Sequence, residues 1–247
     1  MDARAPGILW LHGLGSSADD WNAQLAAFAG DYRLLLVDLP GHGRSSIPRG
    51  RPTVEAMADR VAALLDDVAE PPAHVVGLSL GGCVGLALAL RHPARVRSLT
   101  LVNAFAVLRP ADTGAALRML LRGALLALAP MSAVGRFVAA TAFPHPEQAA
   151  LRRAAAASLA RTPRRAYVAS VRALARFDAR PSLARLRCPT MVVAGADDRT
   201  IALAAKDALA HGIAGARWVV VPGSGHVTSV DRADEFNAVL REFIAAH

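Results

Sequence analysis

Lysine is almost missing from this chain, which carries 27 arginines and one lysine. With alanine abundant, the bias matches the codon usage of a GC-rich genome, so basic residues alone do not indicate nucleic-acid binding, and no recognition motif accompanies them. Cysteine is scarce as well. Cys83 and Cys188 stand 105 positions apart with no CxxC or Cys/His cluster, which excludes a disulfide framework and a zinc site; both read as small buried hydrophobes. No window reaches the roughly 18 uninterrupted apolar residues of a membrane span, because arginines interrupt the alanine-rich stretches. The opening "MDARAPGILWLHG" has an acid at position 2 and an apolar run of only four residues, too short for a signal-peptide core. The expectation is a soluble, cytoplasmic protein.

What is present is a periodic apolar pattern. At 247 residues and 53% apolar content the chain suits one large α/β domain with a sizeable core. Short β-branched and leucine-rich runs at 8–11, 33–39, 73–78, 96–104, 189–196 and 217–223 predict strands. Helical patterns at 17–29, 53–69, 80–91, 202–211 and 231–245 separate them. Strands apolar on both faces, alternating with amphipathic helices, predict a mostly parallel sheet covered on both sides. Such sheets place ligand chemistry at their carboxyl edge.

The stretch 106–186 breaks the alternation: it shows only Ala/Leu/Arg-rich helical pattern with prolines at 110, 130, 144, 146, 163 and 181. It reads as a helical lid inserted into a core formed by 1–105 and 187–247. Charge follows the same division. Residues 105–187 hold 14 arginines and 3 acids, a net +11, and the remainder is −3.

The chemistry begins at "HVVGLSLGG". Here G-x-S-x-G lies where a predicted strand meets a predicted helix, the context that gives this motif meaning. A serine on so sharp a turn takes a strained backbone, tolerable when Gly77 and Gly81 flank it without bulk. Ser79 is the candidate nucleophile, and the following helix points its first amides and its dipole at developing negative charge. A serine hydroxyl needs a base and a group to orient that base. "VVAGADD" offers Asp197 and Asp198 after one strand, and "VVVPGSGH" offers His226 after the next. Two amides complete the set as an oxyanion hole: Leu80 at the helix start, and Leu14 in "LHGLGSS", where Gly13 and Gly15 let the loop approach. His12 reads as a structural residue of that loop.

"LHGLGSS", "DLPGHGRS", "GLSLGG", "HPARVRSLTLVN", "GADDRTI" and "PGSGH" together resemble the α/β-hydrolase superfamily across all but the lid. The resemblance implies a Ser79–His226–Asp198 triad, since the family acid stands three residues after the strand-end glycine, here Gly195; Asp197 is the fallback. Ala202 stands where the family usually has proline, Cys83 where its menaquinone-pathway synthase has arginine, and the family's first hairpin is missing or trimmed. The chain is most similar in kind to small carboxylesterases, such as the pimeloyl-carrier-protein methyl ester esterase, and to enol-lactonases. That implies a serine carboxylesterase forming an acyl-enzyme, with no metal or organic cofactor. Lactonase, carbon–carbon bond hydrolase, acyltransferase and slow receptor-like hydrolase are the alternatives.

The lid is expected to set specificity. Met119, Leu121, Phe137 and Phe143 are candidates to line an acyl pocket for a small-molecule ester. Arg118, Arg122, Arg152, Arg153, Arg164 and Arg165 either form a solvated face or dock an acidic acyl carrier protein by charge complementarity.

Overall fold

The computed structural model describes residues 5–47, 50 and 52–247. Six parallel strands form one sheet: β1 (Gly7–Leu11), β2 (Arg33–Val37), β3 (Ala73–Leu78), β4 (Val96–Val102), β5 (Thr190–Gly195) and β6 (Arg217–Val221), in spatial order β2-β1-β3-β4-β5-β6. Every strand predicted from the apolar runs is there. The crossovers use α1 (Asn22–Phe28), α2 (Val54–Asp67), α3 (Leu80–Arg91) and α8 (Leu203–His211), while the short α9 (Thr228–Asp231) and α10 (Ala233–Ala245) follow β6. α2 starts where it does because Thr53 Oγ1 accepts the Ala56 amide at 3.1 Å, satisfying an otherwise orphaned donor.

Side chains alternate across the sheet as the pleat requires. Leu9, Leu11, Val75, Leu99, Leu101 and Val192 pack with α2, α3 and α8 on one face. Ile8, Trp10, Val76, Val102, Met191 and Val193 pack with Trp21, Phe28 and the Phe236/Leu240/Phe243 stripe of α10 on the other. Trp10 and Trp21 meet with ring centroids 4.8 Å apart. Both faces are covered, so the strands are mostly apolar, and the edge where they end is the one such sheets offer for chemistry.

Between β4 and β5 lie α4 (Thr113–Leu128), α5 (Met131–Ala142), α6 (Ala149–Arg161) and α7 (Arg164–Arg176). Prolines set the joints: Pro130 precedes α5, Pro146 opens the turn before α6, and Pro163 precedes α7. The two ends of this insert are tied together by the Ala179 amide donating to the Ala106 carbonyl at 2.8 Å and by a bridge between Val107 and Asp178. Cys83 is buried, as expected, and burial pushes its thiol up to about 12; Cys188 is half-buried, so only one of the two cysteines is a core residue.

Candidate active site

β3 delivers Ser79 at its carboxyl end with φ +52° and ψ −110°, a left-handed conformation that costs a non-glycine residue energy. The turn is held by the Ser79 amide donating to the Val102 carbonyl and by Ser79 O accepting from the Cys83 amide, at 2.9 and 3.0 Å. A Cβ on Gly81 would overlap the Leu11 carbonyl, and one on Gly77 would overlap the backbone of Gly81. Both glycines are therefore dictated by closeness of backbone, and larger residues would force the serine off its turn.

The loop after β1 supplies the facing wall. His12 is fully buried; its Nε2 accepts the Leu39 amide at 2.9 Å, so its Nδ1 carries the proton and donates to the Gly13 carbonyl at 2.8 Å. Burial, with His42 beside it, lowers its pKa to about 4 and keeps it neutral. Its role is to shape the loop, as read from the sequence. Gly15 adopts φ +79°, and a Cβ there would crowd Leu159 and Tyr167 of the insert; Gly13 has ordinary space around it, so only Gly15 is required for the bend. Neither the Leu14 nor the Leu80 amide donates to a backbone carbonyl among the described residues.

β5 and β6 deliver the remaining pair. His226 Nδ1 donates to Asp198 Oδ2 at 2.8 Å, and Asp198 Oδ1 accepts the amides of Thr200 and Ile201 at 2.7 and 3.1 Å. Burial alone would raise the Asp198 carboxyl, but His226 and Lys206 outweigh it and hold the pKa at about 2. Asp197 turns elsewhere, toward His145 Nε2 at 3.0 Å in the insert. Two residues that sequence reading did not single out complete this corner. Lys206, 0% exposed, places Nζ 2.9 Å from Asp198 Oδ2, 3.0 Å from Asn103 Oδ1 and 3.1 Å from the Gly195 carbonyl. Asn103, at the end of β4, donates Nδ2 to the His226 carbonyl and to Thr228 Oγ1, each at 2.8 Å, and accepts the Gly195 amide. That Lys206 is the sole lysine among 28 cationic side chains was the available signal.

Ser79 and His226 line a cavity of about 450 Å³ whose other walls include Leu14, Asp20, Phe143, Leu159, Tyr167 and Ile201. The Tyr167 hydroxyl is buried without a hydrogen-bond partner among the described residues. Asp20 is half-buried, and desolvation raises its carboxyl to about 6. A second cavity of about 240 Å³ adjoins the first, sharing Phe105, Leu108, Arg122 and Ile201, and is lined by Arg109, Arg118 and Arg199 as well. Of the four lid residues expected in an acyl pocket, Phe143 lines the catalytic cavity, Met119 and Phe137 line the neighbouring one, and Leu121 lines neither. Leu121 is 45% exposed, because α4 buries none of its residues and its helical spacing carries that position outward. The arginine face divides too. Arg152 donates to the Phe143, His145 and Pro146 carbonyls, and Arg164 to those of Leu126 and Ala129, so these two pin helix ends instead of facing a partner.

The insert touches the site on both sides: Thr162 Oγ1 donates to the Gly15 carbonyl at 3.2 Å, and the His226 amide donates to the Ala142 carbonyl at 2.8 Å. Among the described residues, no group of three or more His, Cys, Asp or Glu side chains converges as a metal site, and no helix is long and apolar enough to cross a membrane.

Residues 6–233 match the family described as alpha/beta hydrolase fold. A 3-oxoadipate enol-lactonase from Acinetobacter baylyi is 30% identical over 98% of this chain and 91% of its own. A protein from Stutzerimonas stutzeri named as a carbamate hydrolase, RutD, is 31% identical over 99% of this chain and 94% of its own. Among solved structures, the enol-lactonase of Burkholderia xenovorans LB400 superimposes with a TM-score of 0.90 at 28% identity, covering 98% of this chain and 92% of that one. With sheet order, strand-end site and these relatives in agreement, the chain belongs to the α/β-hydrolase family.

Proposed function

We propose that this protein is a serine hydrolase of carboxylic esters or lactones, working through Ser79, His226 and Asp198. The observation that carries the reading is the Asp198–His226 hydrogen bond set in the same cavity as a serine held on a strained strand-to-helix turn. Asp198 fixes the tautomer with the proton on Nδ1, leaving Nε2 as the acceptor for the Ser79 hydroxyl proton. Ser79 Oγ then bonds to the carbonyl carbon, and the carbonyl oxygen takes up negative charge facing the Leu14 and Leu80 amides. As the intermediate collapses, the bond to the leaving oxygen breaks and His226 returns the proton to it. Water, deprotonated by His226 in turn, hydrolyses the acyl-serine and restores the enzyme. Residues 106–186 act as the lid of the core, their Phe143, Leu159 and Tyr167 shaping the acyl end of the cavity.

The four arginines of the adjoining cavity form no ion pair among the described residues and favour substrates carrying an anionic group. With Arg152 and Arg164 engaged inside the insert, those cations suit a small anion better than an acidic carrier protein. A cyclic ester or a carbamate is the narrower reading to which the names of the relatives point.

The test is steady-state hydrolysis of p-nitrophenyl esters from two to twelve acyl carbons, wild type beside Ser79→Ala. Serine-dependent turnover at or above about 1 s⁻¹ supports the reading. Equal activity in the two proteins ends it, and a single burst without turnover would transfer the reading to an acyl-transfer or receptor-like role.

A further inference from the structure

We propose that Lys206 is a positioning residue of this site, closing a buried hydrogen-bonded ring that fixes His226 in place and moderates its basicity. The inference rests on the ester-hydrolase reading above and adds a component that the triad does not contain.

The ring can be followed atom by atom. Lys206 Nζ donates to Asp198 Oδ2, which also accepts from His226 Nδ1; the His226 carbonyl accepts from Asn103 Nδ2, and Asn103 Oδ1 accepts from Lys206 Nζ. The imidazole and the backbone of the same histidine are thus held by one closed circuit. The third ammonium proton goes to the Gly195 carbonyl, at the end of the strand that delivers Asp198. Three donors meet three acceptors, and nothing on the ammonium is left unpaired in a site where an unpaired ion costs several kcal/mol. A planar guanidinium with five donors in a fork does not fit three acceptors grouped around one point. In a chain that uses arginine at every other cationic position, the exception occurs where only an ammonium satisfies the geometry.

The ring has an electrical consequence. Lys206 and His226 share one carboxylate oxygen, so the imidazolium formed during turnover stands no farther from the ammonium than two hydrogen bonds end to end. Asp198 attracts the imidazolium through charge and a hydrogen bond. A second cation on the same oxygen offsets part of that pull. Other charges face the same region. Asp231 on α9 holds the Gly225 amide and Ser224, the Asp197–His145 pair lies on the adjoining loop, and Asp20 and Arg122 line the cavity. None of these groups is bonded to Lys206, whose partners are Asp198, Asn103 and the Gly195 carbonyl.

The experiment is the pH dependence of kcat/KM from pH 5 to 9 for wild type, Lys206→Met, Lys206→Gln and Lys206→Arg, on an ester that Ser79→Ala does not turn over. The neutral variants are expected to shift the acid limb to higher pH by about one unit, as loss of a neighbouring like charge requires. Their kcat should fall by roughly tenfold from lost positioning while KM stays within about twofold, because Lys206 does not reach the substrate. Lys206→Arg, which keeps the charge without the geometry, should lose kcat but hold the acid limb near that of wild type. Near-UV circular dichroism reports folding, and Lys206→Gln decides the matter if Lys206→Met does not fold. A folded, serine-dependent neutral variant whose acid limb overlays that of wild type overturns the inference. Activity that survives Ser79→Ala overturns the underlying reading instead, and the two failures cannot be confused.

Discussion

The sheet-borne half of the site and the helical insert close around one cavity, yet they are built on opposite terms. At the strand ends, backbone presses on backbone: Gly77 and Gly81 have no room for a methyl group, and the Asp198 side chain is 1% exposed with every acceptor position engaged. Across the cavity, α4 buries none of its residues, and Leu117, Leu120, Leu121 and Leu128 all face solvent. The rest of the insert is packed: Ala173, Leu174 and Phe177 join the main core and Val134, Leu159 and Tyr167 form a buried cluster, with the Ala106/Ala179 tie, Thr162 on Gly15 and Ala142 on His226 adding hydrogen bonds. Precision of placement therefore resides in the sheet half, where geometry is over-determined, and variation in shape is available to α4, which buries no residue.

Two adjacent carboxylates give the sharpest way to break this contrast. Asp198→Asn should cut turnover by roughly 10⁴-fold, since the tautomer of His226 is no longer fixed. Asp197→Asn, which loses only its approach to His145 in the insert, should stay within about threefold, in line with an exposed pair worth little. Steady-state kinetics of the two variants side by side check this; equal losses would mean that the insert positions the histidine as strictly as the sheet does.

A pair of glycines tests the same contrast through stability. Gly81→Ala should destabilise by about 3 kcal/mol or more, because its Cβ meets the Leu11 carbonyl and backbone must shift. Gly123→Ala, in the exposed middle of α4 with nothing within 4 Å, should stabilise by about 0.5–1 kcal/mol, raising Tm by roughly 1–4 °C through lower unfolded-state entropy. Thermal unfolding of both variants measures the difference, and a Gly81→Ala protein as stable as wild type would remove the claim of a rigid frame.

A further effect is set by pH. His12 behind the loop after β1 and His74 in β3 are both lowered to about 4, chiefly by burial. The unfolded chain takes up protons below about 6.5 that the folded chain refuses, so stability is greatest above that value and falls toward pH 4. Asp20, raised to about 6 by burial, acts in the opposite sense, gaining as pH falls from about 6 toward 3.8, and offsets part of the loss. Urea unfolding at pH 7, 5.5 and 4 should show a net loss of about 4 kcal/mol, and a flat profile would place the histidines in solvent-accessible surroundings.

The sheet was legible because its strands are buried on both faces, and continuous apolar runs ending in Gly, Pro or Asp announce such strands directly. Ser79, Asp198 and His226 were legible for a related reason: each lies at a strand end with its own local turn chemistry. Lys206 and Asn103 were not, because neither belongs to a local motif; their meaning depends on β4, β5, α8 and the His226 loop meeting in space. Leu121 was misplaced since helical spacing fixes which residues share a face but not which way that face turns. By itself the sequence determined fold class, strand order in chain, the glycine turn, the candidate serine and histidine, and a pair of adjacent aspartates, all encoded within a few consecutive residues. The tertiary structure alone decided which aspartate meets His226, which arginines are engaged internally and where the single lysine lies. Those outcomes depend on distances between segments far apart in the chain, and no local pattern carries that information.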